Sequence, residues 1–336
     1  MSKPIKVVFI QRKPRALGTF SIEAIFHAIR QKLPPAIHSV VKISTYPSNG
    51  IWMRIYNAIE AAFWQGDVKH VTGDVNYLAI FLKKSKSILT IHDCFILYYK
   101  KGLPRLFFKT FWFDLPVRRA GLVVAISEAT KQELVKFTGC RPEKINVIPT
   151  IIPEGFTFSP KKFNREKPVL LHIGVMPNKN LDRLILAIAG IPCTLLIVGK
   201  LTDDYIHQLE RHSIDYKAVY NISDEEMKAQ YRACDILCFV STYEGFGMPI
   251  LEANATGRPV LTSNCSSMPE VAGDAACLVD PYDVQSIRAG LLHLIHDETY
   301  RERLVLNGLE NHKRFSLDKV ARQYADLYAA VAAQNA

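Results

Sequence analysis

The sequence contains no run of about 18 or more uncharged apolar residues, so no membrane-crossing helix is expected. Its start, Met1-Ser-Lys-Pro-Ile-Lys6, leads straight into a strand-like run with no signal-peptide pattern, and a cytoplasmic protein is expected. Cysteines are too few and too scattered for a disulfide framework. There are seven, an odd number, and most lie inside apolar runs, as reduced core residues do. Cys234 and Cys238 have no nearby histidine at a spacing that suggests zinc. No internal repeat or low-complexity tract is present, which excludes solenoid and disordered classes. Acid is scarce in one half only. Residues 1–168 hold 27 Lys and Arg against 11 Asp and Glu, a net of +16, while residues 169–336 hold 15 against 21, a net of −6. The total of +10 therefore belongs to the first half, and so lopsided a field implies an anionic partner for it.

What is present fits an enzyme of two domains. The chain has 336 residues, 49% of them apolar, more than one hydrophobic core usually serves. Its central stretch is Ser241-Thr-Tyr-Glu-Gly-Phe-Gly-Met-Pro-Ile-Leu-Glu252, preceded by the apolar run Asp235–Val240 and followed by another at Pro259–Thr262. The pattern predicts strand, tight loop, helix, strand. Pro249 suits the first helical turn and Gly257 the left-handed residue that ends a helix. The loop Gly245-Phe246-Gly247-Met248 then lies beyond the carboxyl end of a buried strand, where free N–H groups and a helix dipole favour an anion. Glu244 and Glu252 frame it. Each alone could be a solvated loop acid or a first-turn acid, but the pair suits a ligand with a sugar at both ends of a diphosphate.

This Glu-x7-Glu arrangement resembles the signature of retaining glycosyltransferase family 4, the group 1 glycosyltransferases, whose fold is GT-B. The resemblance is specific from about His172 to Phe315 and thinner over the first 150 residues. It implies an α/β protein with two facing Rossmann-like domains built on parallel sheets, residues 1–155 binding acceptor and residues 156–316 binding nucleotide-sugar. A last helix, 317–336, would cross back to the first domain. By the same resemblance Glu252 holds the ribose, Glu244 the sugar hydroxyls and Lys179 the donor phosphates. Gly174 and Gly18 would face the donor, together with Gly245, Phe246, Gly247 and Met248, although Gly18 read from the residues alone fits an ordinary strand-to-helix turn better. The family usually carries an arginine ahead of that lysine. Val175 and Met176 stand there instead, so Arg12, Arg15 or Lys200 would have to supply the missing cation. No Asp-x-Asp pair is present, and neither metal nor cofactor is expected; the nucleotide-sugar is a substrate.

In the first half, His92-Asp93 follows the buried run Ser87–Ile91, at the end where open parallel sheets bind ligands. A structural histidine and a functional one fit equally from the residues alone; the resemblance places a histidine here against the transferred sugar and acceptor, making His92 a catalytic candidate with Lys179 and Glu244. Lys100–Arg119 interleaves six basic residues with Phe107, Phe108, Phe111, Trp112 and Phe113, the composition of either an interfacial segment or a core helix with a solvated basic rim. The resulting expectation is metal-independent hexosyl transfer, with retention, from a UDP- or GDP-sugar to a saccharide or lipid-linked acceptor in surface polysaccharide, lipopolysaccharide or glycolipid assembly. Peripheral docking on the inner face of an anionic membrane is expected, and nucleic acid is not. The rivals are a GT-B sugar-nucleotide epimerase and a non-catalytic nucleotide-sugar or nucleic-acid binder.

Overall fold

The computed structural model describes residues 3–13 and 22–334. The chain divides into two compact units, Met1–Ile151 with Ser316–Ala336, and Ile152–Phe315.

The first unit is built on six parallel strands: β1 (Ile5–Gln11), β2 (Ile37–Ile43), β3 (Val68–Val71), β4 (Ser87–Ile91), β5 (Leu122–Ala125) and β6 (Ile145–Val147). They lie in the order β2-β1-β3-β4-β5-β6. Strands β3 and β4 are buried along their whole length, as parallel strands covered on both faces must be, whereas the edge strand β2 is largely open to solvent. One side of the sheet carries a buried polar and aromatic knot. His70 is fully buried; Nδ1 meets the Tyr328 hydroxyl at 2.8 Å and Nε2 the Thr90 hydroxyl at 2.7 Å. Phe9, Phe26 and Tyr324 pack around that ring. Tyr324 and Tyr328 come from the helix Leu317–Ala333, so the end of the chain completes the core of the first unit.

The second unit has strands β7 (Val169–Ile173), β8 (Thr194–Val198), β9 (Asp215–Val219), β10 (Ile236–Phe239), β11 (Val260–Ser263) and β12 (Cys277–Val279), in the order β12-β11-β10-β7-β8-β9. The connections run one way from β7 to β8 and the other way to β10. That reversal opens a crevice at the carboxyl ends of β7 and β10. Strand β9 has no apolar run to announce it. It is an edge strand, Asp-Tyr-Lys-Ala-Val, held by pairing to β8.

Local signals act where the sequence puts them. The Ser127 hydroxyl accepts from the Thr130 N–H at the start of Glu128–Thr138, and Ser223 with Glu226 closes a capping box on Asp224–Ala233. Gly257, at φ 77°, ends the helix Met248–Thr256 in the left-handed region. The aromatic-basic stretch is not one continuous α-helix. Gly102–Phe108 and Leu115–Arg119 are joined by a π-helical turn, Lys109–Asp114, because Pro116 brings no N–H and its ring crowds the carbonyl one turn back. Phe113 is buried, and the Trp112 indole donates to the Asp74 carbonyl at 3.1 Å, so part of this stretch is core.

Burial holds His70 neutral, with its pKa lowered to about 3. The unfolded chain, with histidine near 6.5, binds the extra proton first, so the His70 contribution is complete above about pH 6.5 and is lost on acidification towards pH 3. Tyr328→Phe, which deletes one partner of that ring, should cost about 1 kcal/mol in urea unfolding followed at neutral pH. An unchanged midpoint would mean that this hydrogen bond does not hold the last helix.

Candidate active site

The loops leaving β7 and β10 meet at the crevice. The first runs Gly174–Asn180 and enters the helix Leu181–Ile188; the second runs Val240–Gly247 and enters Met248–Thr256. Gly174 has φ 90°, and a Cβ there would stand 2.9 Å from the Lys179 Cγ, so the lysine stem lies directly across this glycine. The Lys179 ammonium donates to Glu244 Oε1 at 2.6 Å and sits 5.0 Å from the centre of the Phe239 ring. Two residues far apart in sequence, Lys179 expected at the donor phosphates and Glu244 at the sugar hydroxyls, are thus brought into one ion pair.

The second loop is fixed from both sides. The Asn178 amide donates to the Tyr243 carbonyl at 3.0 Å, and the Thr242 N–H donates to the Asn178 carbonyl at 2.8 Å. The Ser266 hydroxyl donates to the Glu244 carbonyl at 2.6 Å, while Ser267 spans the Glu244 and Phe246 carbonyls at 2.9 and 2.6 Å. Asn180 clamps the base of the crevice. It adopts φ 64°, which asparagine tolerates better than most residues, and its buried amide donates to Val240 and Pro281 carbonyls at 2.9 and 2.7 Å. Sequence reasoning missed Asn178, Asn180, Ser266 and Ser267 as positioning residues. Of these only Asn180, a polar residue immediately before an apolar helix, carried a local signal.

Gly247, at φ 113°, is the N-cap of Met248–Thr256, with Pro249 in the first turn. Pro249 brings no N–H and the Ile250 N–H donates to the Gly247 carbonyl at 3.1 Å, so this turn offers an anion the Met248 N–H and the positive end of the helix dipole. Phe246 is buried, its ring 5.4 Å from that of Phe315, so the side chain belongs to the core and only the backbone of this residue is available to the crevice. Met248 is half-buried. Glu252 is 6% exposed and accepts a hydrogen bond from the Tyr231 hydroxyl. Burial pushes its pKa up to about 7, with Tyr231 pulling the other way. His172, on β7, donates from Nδ1 to the Cys238 carbonyl; burial lowers its pKa to about 4, and the charge of Lys179 adds to that.

In the first unit His92 follows β4. Its Nε2 is 2.8 Å from the Thr72 carbonyl, which can only accept, so Nε2 bears the proton. Burial lowers its pKa, partly offset by that hydrogen bond and by Asp93, Asp74 and Glu23. The ring lines a cavity of about 220 Å³ with Asp74, Asn76, Asp93 and Trp112. Arg12 binds Glu23 at 2.9 Å and Asp74 at 3.0 Å, so it would have to leave two carboxylates to serve as the missing phosphate cation. Arg15 and Gly18 lie outside the described residues.

Two six-stranded parallel sheets, each with its own helices, are the architecture of the GT-B glycosyltransferases. The structure is similar to HepE of Anabaena solved with UDP and glucose, with a TM-score of 0.76 at 19% identity over 97% of this chain and 100% of that one. Residues 155–311 match the family described as glycosyl transferases group 1, and residues 24–154 match Glycosyltransferase Family 4. The chain is 30% identical to O-antigen chain mannosyltransferase B of Escherichia coli over 270 residues, 72% of this chain and 70% of that protein. It is 26% identical over 260 residues to the serotype-specific mannosyltransferase WbdA of Escherichia coli, 69% of this chain but only 32% of that longer protein. The chain belongs to the group 1 glycosyltransferases.

The buried Glu252 makes a stability prediction. Its folded pKa lies above the unfolded value, so the protein is penalised as pH rises from about 4.5 through 7, and the penalty is absent below that window. Glu252→Gln keeps an acceptor for Tyr231 and should stabilise the protein by about 2–3 kcal/mol at pH 8 and by little at pH 4, read from urea midpoints. Equal midpoints at both pH values would show that burial of the carboxylate carries no penalty.

Proposed function

We propose that this glycosyltransferase moves a hexose, mannose by analogy with its relatives, from a nucleoside diphosphate sugar to a saccharide acceptor during polysaccharide assembly. The observation that carries the reading is the Lys179–Glu244 pair, set at the crevice between β7 and β10 beside the helix start at Met248. The group that must be stabilised is the departing nucleoside diphosphate. Lys179, the Met248 N–H and the positive end of that helix supply fixed positive charge where its negative charge develops, and such preorganised donors act most strongly in a site with little water. Glu244 then exchanges its lysine for sugar hydroxyls. Glu252, oriented by Tyr231, takes the ribose.

In this reading transfer retains configuration at the anomeric carbon. The bond from that carbon to the diphosphate oxygen breaks, its electron pair leaving with the diphosphate. The acceptor hydroxyl oxygen forms the new bond on the same face, and its proton passes to the departing phosphate oxygen. His92 serves the acceptor side, with a neutral ring whose proton is fixed on Nε2.

A donor screen tests the proposal directly. GDP-mannose, UDP-glucose and their diphosphates are compared by thermal shift, since a ligand at about 100 times its Kd stabilises by about 2.7 kcal/mol. Stabilisation by none of them would remove the donor reading. Lys179→Ala should lower turnover about a hundredfold with the fold intact. Near-normal rates in that variant would mean that another cation holds the diphosphate. Glu252→Ala should cost about 1.5–3 kcal/mol of nucleotide affinity by calorimetry, and an unchanged affinity would move the ribose elsewhere.

A further inference from the structure

The helix Ile51–Phe63 is built with its small residues inward and its large apolar ones outward. Asn57, Ala58 and Ala61 face the first unit's core, while Trp52 is 79% exposed and Phe63 74%. Ile51, Tyr56 and Ile59 are exposed with them. The only two charged residues of this helix are occupied at its margins: Arg54 donates to the Ser48 carbonyl at 3.0 Å and lies over the Trp112 ring, and Glu60 accepts from the Thr45 hydroxyl at 2.6 Å. A helix meant for water carries its charges on the open side, and this one does not.

Between this helix and the aromatic segment runs a groove of about 300 Å³, walled by Ile55, Ile80, Phe81, Phe107, Phe111 and Leu115. Leu103, 81% exposed, and Leu106 extend the open apolar surface of the aromatic segment. Cations border the groove. Lys83 and Lys84 follow Phe81 in the chain, and Arg119, beside Arg118, donates to the Ile80 carbonyl at 3.0 Å. The whole first unit carries a net charge of +14.

We propose that the outward face of Ile51–Phe63, with the groove beside it, seats the protein on an anionic phospholipid bilayer. Aliphatic and aromatic side chains without hydrogen-bonding partners suit the acyl boundary, Trp52 and Tyr56 suit the headgroup level, and the bordering lysines and arginines meet lipid phosphates. A nucleic acid would use the cations but would gain nothing from exposed isoleucine and leucine. The seat lies on the first unit and is independent of the transfer chemistry, whose donor residues are in the second.

Flotation with phosphatidylcholine vesicles, with and without phosphatidylglycerol, tests this. The protein should float with the anionic vesicles only and be released by high salt. Trp52→Ser with Phe63→Ser should weaken binding about tenfold, and Lys83→Glu with Lys84→Glu about tenfold or more. Both pairs are solvent-exposed, so unchanged thermal unfolding and nucleotide affinity should accompany the loss. In a Trp64→Phe, Trp112→Phe background, brominated lipid should quench the remaining Trp52 fluorescence. No flotation at low salt, flotation unaffected by the Trp52 and Phe63 changes, or a stable dimer that hides Trp52 in solution would each overturn the proposal.

Discussion

A buried carboxylate at the end of a sheet sets the terms for the second unit. Glu252 sits in the helix Met248–Thr256, almost all of which is interior, and its ionised form is disfavoured by burial. A core designed for stability alone would place an apolar residue there. The surrounding structure holds the charged group in place: Tyr231 donates to it, and Tyr231 is itself fixed by the edge-to-face ring of Phe156 and by Arg258, whose guanidinium donates to the Tyr231 carbonyl. The glutamate is thus preoriented and poorly hydrated, a state in which a hydrogen bond from a ligand is stronger than it would be in water.

Lys179 and Glu244 follow the same logic at the surface of the crevice. Each is mostly covered, and each satisfies the other. In the proposed reaction the pair is a resting arrangement that a diphosphate on one side and sugar hydroxyls on the other take apart. The loops that carry the two residues are joined through Asn178 and Asn180, and Ser266 and Ser267, which follow β11, tie the second loop from its other side, so its geometry depends on directional bonds. Such bonds hold the lysine and the glutamate in register although the loops come from different strands.

The parts of this protein that were legible in the sequence are those whose cause is local. A capping serine, a glycine at a helix end and a buried apolar strand act within a few residues, so Ser127, Ser223, Gly257 and β10 could be read directly. The loop framed by Glu244 and Glu252 was legible because its pattern is contiguous. What escaped was set by distance or direction. His70 is held by Tyr328, 258 residues away, and no spacing encodes that bond. Apolar periodicity marks Ile51–Phe63 as a helix but does not say which face turns inward, and here the inward face is made of small residues. Strand β9 exists because β8 pairs with it, and the break at Lys109–Asp114 reflects one proline's effect on the turn before it.

The helix Leu317–Ala333 has a consequence for how the chain comes to be folded. The first sheet is synthesised early, yet Tyr324 and Tyr328, which cover Phe9, Phe26 and His70, are made only after the whole of the second unit. The first unit therefore waits, with part of its interior open, through the whole synthesis of the second, which needs no residue beyond Phe315. The order of completion is the reverse of the order of synthesis. Until that helix is made, the nascent first unit is an unfinished core, and any chaperone requirement of this protein belongs to that interval.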